Sequence, residues 1–370
     1  MPIDEIVPRL VEAGLNGDKR AIESLALRAI RTLRPRQSQL AKAIADVLAA
    51  SGPNRSPVRG VIAPPAQHDI SENANAIAVK TVDSDLEPPI LRPSDQILVE
   101  RVLIERRAAS ELAMEGLSPI RSVILEGPPG VGKTYLAHYF AAQLNLPLIV
   151  LDLATAVSSL LGQTGQNIKS AFNVSISMPS LLLLDEFDAI GQERGMGRDV
   201  GELRRIVSVL LNEVESWPST SLLVAATNHP DLIDGAMWRR FDLRISLVLP
   251  DSSLRERIWI RSLSSLKQTL PNDMFKVLAV ITEDWSAADI VSVGQSIKKR
   301  IALGETDPIK TSFNEVLNNG IHNFHNEIGE IVRLIWSELG GSVTQAQLGN
   351  WLGIGQPTVS YHLRRRSRGK

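Results

Sequence analysis

The 370-residue sequence has no cysteine. Disulfide scaffolds, thiol nucleophiles, thiol redox chemistry and Cys-ligated zinc are therefore excluded. Histidine is scarce, with six scattered residues and no HExxH arrangement that could replace cysteine at a metal. The sequence starts without a basic segment followed by an apolar one, and no run approaches about 18 apolar residues. Neither secretion nor membrane insertion is expected, and the expected location is the cytoplasm. An excess of one charge is missing too, since 40 Lys+Arg face 41 Asp+Glu for a net charge of −1. That balance conceals one asymmetry: residues 364–370 carry five positive charges and no acid. Any case for nucleic-acid binding therefore rests on the C-terminus.

What the sequence does have is core-forming material, with 44% hydrophobic and 22% charged residues. That is enough to exclude wholesale disorder, and the length suggests two or three domains. In residues 1–50 apolar side chains recur at helical spacing, with breaks at 14–18 and at Pro35, which predicts a three-helix bundle. Some fifty residues of bundle bury little by themselves, so this module is expected to dock on something or to act as an adaptor. Residues 51–93 turn rich in Pro, Ser and Asn and read as a linker.

From residue 94 short β-rich runs at 122–125, 148–151, 181–184, 222–226 and 243–249 alternate with helical stretches. That alternation predicts an α/β core over 94–250, a parallel sheet buried on both faces. After Pro250 the strands stop. Helical patterns at 254–266, 274–281 and 286–303 predict a helical lid over 251–308, and a further helical region follows over 309–370.

Gly127-Pro128-Pro129-Gly130-Val131-Gly132-Lys133-Thr134 fits G-x-x-x-x-G-K-[ST], directly after one expected strand and before a helical run. Glycines let successive backbone N–H groups curl around phosphate oxygens, and the helix N-terminus adds positive potential. Lys133 would bridge the β- and γ-phosphates of ATP, and Thr134 would place its hydroxyl on Mg²⁺. The apolar run at 181–184 ends in Asp185 and Glu186. At the C-terminal edge of a buried strand, Asp185 would act in the magnesium shell and Glu186 would polarise the attacking water.

These motifs resemble the AAA ATPases, P-loop proteins that usually work as ring hexamers, over roughly residues 91–303. The resemblance implies an AAA+ sheet with a helical lid and Mg²⁺-dependent ATP hydrolysis in a self-assembled, hexameric ring. It also implies that Asn228, in Ala226-Thr227-Asn228, is the sensor-1 residue that helps hold the water. Gly201 to Arg205 matches a helix of the family, and Trp285-Ser286-Ala287-Ala288-Asp289 matches the lid segment near adenine. Arg239 and Arg240 match its arginine fingers, although the usual Pro-Gly between them is absent, so either could be the principal one. A planar, permanently charged guanidinium suits contact with phosphate oxygens. Leu161, in the stretch matching the pore loop, replaces an aromatic that many unfoldases carry. The stretch 185–202 further resembles bacterial AAA ATPases paired with a subtilisin-like protease.

Residues 344–363 have helix-turn-helix spacing, with Gly349 at the helix approach, Gly353 in the turn and Pro357 in the first turn of the second helix. Leu348, Leu352, Ile354, Val359 and Leu363 are the expected core against a helix over 331–339. In a resemblance to bacterial helix-turn-helix regulators, Gln356, Thr358, Ser360, Tyr361 and Arg364 would face the major groove of duplex DNA. Arg365, Arg366 and Arg368 would face its phosphates. A partner-docking or oligomerisation element is the alternative. His322 and His325 sit three apart, but no third ligand is in sight. Three functions fit: a ring ATPase that remodels or recruits a protein client, a nucleotide-gated DNA-binding regulator or DNA-transaction helper, and an autorepressor whose ATP site only stabilises the fold.

Overall fold

The computed structural model describes residues 3–15, 19–34, 37–50, 77–80, 85–158, 164–192, 200–266, 270–320, 328–339 and 343–364. These fall into two compact units. One comprises Met1–Pro89, Pro93–Pro128 and Lys133–Leu247, and the other Ile90–Arg92, Pro129–Gly132 and Val248–Lys370.

The first unit opens with helices Ile3–Leu15, Lys19–Leu33 and Ser38–Ala50. Their burial is completed by the core domain: Ile30, Leu33, Ala41 and Ala45 share a cluster with Ala113 of the short helix Ala109–Met114. Polar contacts follow the same seam. Arg34 ion-pairs with Glu115, and the Glu23 carboxylate accepts the Ser219 backbone N–H at 3.0 and 3.1 Å.

The sheet has six strands, β1 (Ile77–Lys80), β2 (Ser122–Glu126), β3 (Leu148–Asp152), β4 (Leu181–Asp185), β5 (Leu222–Thr227) and β6 (Leu243–Ser246). Their order is β1-β3-β4-β5-β2-β6. Every pairing is parallel except that of β1 with β3. Strands β2 and β5 are buried at every position, the pattern of a sheet covered on both faces, where continuous apolar runs replace alternation. Helices Pro93–Arg107, Lys133–Leu144, Thr164–Ser177 and Val200–Glu215 accompany the strands. The chain goes from β2 to β3, yet β5 and β4 lie between them, so the order reverses beside β2. In open α/β sheets such a reversal leaves a crevice at the strands' C-terminal ends. Asp185 ends β4, and the phosphate-loop sequence and Asn228 directly follow β2 and β5.

Two expectations are corrected here. Residues 77–80, inside the stretch read as a linker, form β1 and pair from Ile77 with Leu151 to Lys80 with Leu148. The last strand stops at Ser246 instead of running to 249.

The second unit contains helices Ser252–Ser262, Asn272–Ile281, Ala287–Ala302, Pro308–Gly320, Ile328–Leu339, Gln345–Leu352 and Gln356–Arg364. One apolar cluster runs from Ile258 and Trp259 through Phe313, Ile331 and Ile335 to Leu348, Trp351 and Val359. The boundary expected at 308/309 therefore falls inside a single core. Trp351 stacks on Phe313 with ring centroids 5.5 Å apart. Of the expected core residues, Leu348, Leu352 and Val359 belong to this cluster, and the half-buried Ile354 and Leu363 pack against it.

Candidate nucleotide site

Strand β2 delivers the chain into the loop at Gly127, where φ is +142° and a Cβ would sit 2.0 Å from the backbone oxygen of Leu247. Only glycine fits there, because both the dihedral and the space forbid a side chain. Gly130 and Gly132 also have positive φ, +79° and +101°, and helix Lys133–Leu144 begins at once. Within the second unit, Gly130 lies against the lid segment: the Ala288 N–H donates to its carbonyl at 3.0 Å. A Cβ on Gly130 would meet the Ser286 hydroxyl oxygen at 2.3 Å. Ser286 is fixed there by a capping box with Asp289 at the start of Ala287–Ala302.

Lys133 is 8% exposed, and its ammonium donates to the carbonyls of Gly127 at 2.7 Å and Pro128 at 2.8 Å. Burial lowers its pKa, while Asp185 and Asp188 pull it back up. The cation is thus held at the loop by two backbone carbonyls. Thr134 donates its hydroxyl to a carboxylate oxygen of Asp185 at 3.3 Å. Hydroxyl plus carboxylate is the hard-oxygen donor set Mg²⁺ prefers, with waters and phosphates completing an octahedron, so these residues fit the ion. Pro128 and Gly132 are half-buried, Pro129 is exposed and Val131 is buried.

Glu186 follows β4 with φ of +52°, a left-handed conformation uncommon outside glycine and often found at functional sites. Its side chain is exposed. Desolvation raises its pKa, and the negative charges of Asp152, Asp185 and Asp188 raise it further. Register explains the crowding, because Asp152 at the end of β3 lies opposite Asp185 at the end of β4. Asp188 ties this turn to the next strand: buried, it accepts the Thr227 hydroxyl at 2.9 Å and the Asn228 backbone N–H at 3.0 Å. The structure thus brings Lys133, Thr134, Asp185, Glu186 and Asn228 to the C-terminal ends of neighbouring strands. Sequence reading gave Asp152 and Asp188 no role. No local spacing marks them, because their roles come from partners on neighbouring strands.

The paired arginines follow helix Gly235–Trp238, which Asp234 caps by accepting the Ala236 N–H at 3.0 Å. They differ in surroundings. Arg240 is half-buried and ion-paired with Glu215, whereas Arg239 is exposed and has no ion pair among the described residues. Leu161 and residues 198–199 lie outside the described residues, as do His322 and His325. Residues 201–205 lie on helix Val200–Glu215.

At the far end of the chain, Thr344 and Gln347 form a capping box on Gln345–Leu352, and Gly353 ends that helix with φ of +68°. Helix Gln356–Arg364 follows. Gln356, Thr358, Tyr361 and Arg364 are exposed along it. Ser360, expected to be exposed with them, is half-buried and donates its hydroxyl to Gln345, since it lies beside the first helix of the pair. Arg365, Arg366 and Arg368 lie outside the described residues.

Residues 123–249 match the family described as ATPase family associated with various cellular activities (AAA). This chain carries an AAA ATPase domain. It is 39% identical over 150 residues to "Uncharacterized AAA family ATPase y4kL" of Sinorhizobium fredii, covering 40% of this chain and 46% of that protein. It is 33% identical over 224 residues to the proteasome-activating nucleotidase of Thermococcus gammatolerans, covering 56% of each. It is also 33% identical over 226 residues to the mitochondrial inner membrane m-AAA protease component YTA10 of Saccharomyces cerevisiae, covering 57% of this chain and 28% of that protein. The chain therefore spans about half of two of these relatives and about a quarter of the third. Among the described residues, no helix is long and apolar enough to cross a membrane.

Proposed function

We propose that this chain is a Mg²⁺-dependent ATPase that assembles into a ring, hexameric as is usual for such domains, and uses hydrolysis to remodel or recruit a protein client. The observation that carries the reading is the convergence of Lys133, Thr134, Asp185 and Glu186 at adjoining strand ends, with Thr134 already within 3.3 Å of Asp185. In this reading Gly127–Thr134 cradles the phosphates, and Mg²⁺, held by Thr134 and Asp185, supplies charge neutralisation for phosphoryl transfer. Glu186 polarises the attacking water and Asn228 helps to hold it. Arg239 is the principal finger, because Arg240 is engaged by Glu215 within its own subunit. Proteolytic partnership is supported by the similarity to two relatives, a proteasome-activating nucleotidase and a protease component.

Turnover and binding separate the roles. Glu186→Gln should keep nucleotide affinity while losing most turnover, and Lys133→Ala should lose affinity. Equal loss of affinity in both would show that the acidic pair is misassigned. A mixture of Arg239→Ala and Glu186→Gln proteins, each inactive, should regain activity, since some interfaces then pair an intact finger with an intact acid.

A second reading, DNA binding through the C-terminus, is supported by the exposed Gln356, Thr358, Tyr361 and Arg364 on one short helix after a tight turn. In it Arg365 and Arg366 hold phosphates. Gln356→Ala should then cost about 1–3 kcal/mol at a preferred duplex site. Absence of duplex retention at low salt, with or without nucleotide, would remove this reading.

A further inference from the structure

We infer that Arg244 is a positioning residue that couples the strand feeding the phosphate loop to the paired arginines Arg239 and Arg240. This inference rests on the ring reading above. Glu126 is the last residue of β2, immediately before Gly127, and it is only 6% exposed. A carboxylate buried there needs partners. Among the described residues it has two, both from the neighbouring strand β6: Arg244 forms an ion pair with one of its oxygens, and the Ser246 hydroxyl donates to the other. The parallel register accounts for the geometry. Glu126 faces Ser246, and Arg244 is two residues earlier on the same strand face.

Arg244 does not stop at Glu126. Its guanidinium carbon lies 4.1 Å from the centroid of the Trp238 ring, a cation–π stack. Trp238 is the last residue of Gly235–Trp238, and Arg239 follows as that helix's C-cap. One planar side chain therefore touches the root of the subunit's own phosphate loop on one side and the platform carrying the arginines on the other. The loop end of this connection is stiff: the Leu247 N–H donates to the Glu126 carbonyl at 2.8 Å, and Gly127 leaves no room against the Leu247 carbonyl. Displacement of the loop root on nucleotide binding would reach Arg244 through Glu126 and Trp238 through Arg244. The site at which the subunit binds its own nucleotide would then set the aim of the arginines it offers to a neighbour. Only an arginine can do both tasks here, since lysine can pair with Glu126 but has no plane to stack on Trp238.

The test uses the full-length chain and reads ATP turnover. Arg244→Met should lower kcat about ten- to a hundredfold, the usual range for a lost supporting contact, with KM for ATP nearly unchanged. Arg244→Lys should fall between it and the parent protein. The deciding experiment is mixing. If Arg244 acts by aiming the arginines, Arg244→Met protein keeps a sound acid site and should regain activity with Glu186→Gln protein, as Arg239→Ala protein does. If Arg244→Met mixtures stay silent while Arg239→Ala mixtures recover, Arg244 serves only its own loop and the inference is overturned. If both mixtures stay silent, the ring reading fails and takes this inference with it. Should Arg244→Met not fold, Arg244→Lys in the same mixture decides the matter by the same criterion.

Discussion

Glu186 carries a cost that reports on its neighbours. Its backbone sits in the left-handed region, and its carboxyl pKa is raised from 4.5 by partial desolvation together with Asp152, Asp185 and Asp188. A raised carboxylate is protonated at pH values where an ordinary one is ionised. Since a water-polarising role needs the ionised form, the acid limb of turnover should lie above the ordinary Glu range. Asp152 is the useful lever, because Asn in its place can still accept the Thr155 N–H that it now accepts at 3.1 Å. Asp152→Asn removes one like charge, favours ionised Glu186, and should move the acid limb to lower pH. A pH profile of kcat/KM, the parameter that reports ionisation of the free enzyme, that does not move would show that Asp152 is not felt at Glu186. At this scale the sequence was legible where chemistry is local. Gly127 to Thr134, Asp185 and Glu186 are read from contiguous motifs. Asp188 and Glu126 were not legible, because their importance arises from partners on other strands: Asp188 meets Asn228 across forty residues and Glu126 meets Arg244 across 118.

Elements announced themselves in proportion to how much they bury. β4 and β5 are apolar up to their last residue and β2 has an apolar centre, and their positions follow from that. β1 is four residues ending in lysine, with Val79 exposed, and it exists because β3 offers it an edge; no local pattern marks it. The helices at the C-terminus were legible through Thr344, Gly353 and Pro357, but not their attachment. Leu348, Trp351 and Val359 fill the same core as Trp259 and Phe313. Removing residues 342–370 would therefore strip one wall from the second unit, so such a truncation cannot serve as a clean test of DNA binding. Trp351→Ala should cost about 3–5 kcal/mol, the usual range for deleting a buried aromatic. Denaturant unfolding of the full chain would measure it. A loss below about 1 kcal/mol would mean that these helices are only loosely applied to the unit.

The N-terminal bundle is joined to the AAA domain by a seam with an electrostatic weak point. Glu23 accepts both the backbone N–H and the hydroxyl of Ser219 and lies near Arg106, which is itself fully buried. Arg106 donates to the carbonyls of Ser219 at 2.7 Å and Ser221 at 3.0 Å, and burial pushes its pKa down to about 10. For Glu23 the loss of hydration is the largest effect: its pKa is raised despite the Ser219 hydrogen bond and the attraction of Arg121 and Arg106. The sign follows from linkage. A carboxyl whose pKa is higher in the docked state binds protons more readily there, so docking weakens as pH rises from 4.5 through the raised value, and at neutral pH the penalty is fully present. Glu23→Gln keeps an acceptor for the Ser219 N–H and removes the buried charge. It should tighten docking at neutral pH and abolish this pH dependence, whereas Glu23→Ala leaves the Ser219 N–H without its acceptor and should loosen it. Hydrogen exchange of helix Lys19–Leu33 at neutral pH reads both effects. Slower exchange in Glu23→Gln and faster exchange in Glu23→Ala is the expected pair. Faster exchange in both would mean that attraction to Arg106 outweighs desolvation, and that the seam is held by its charges.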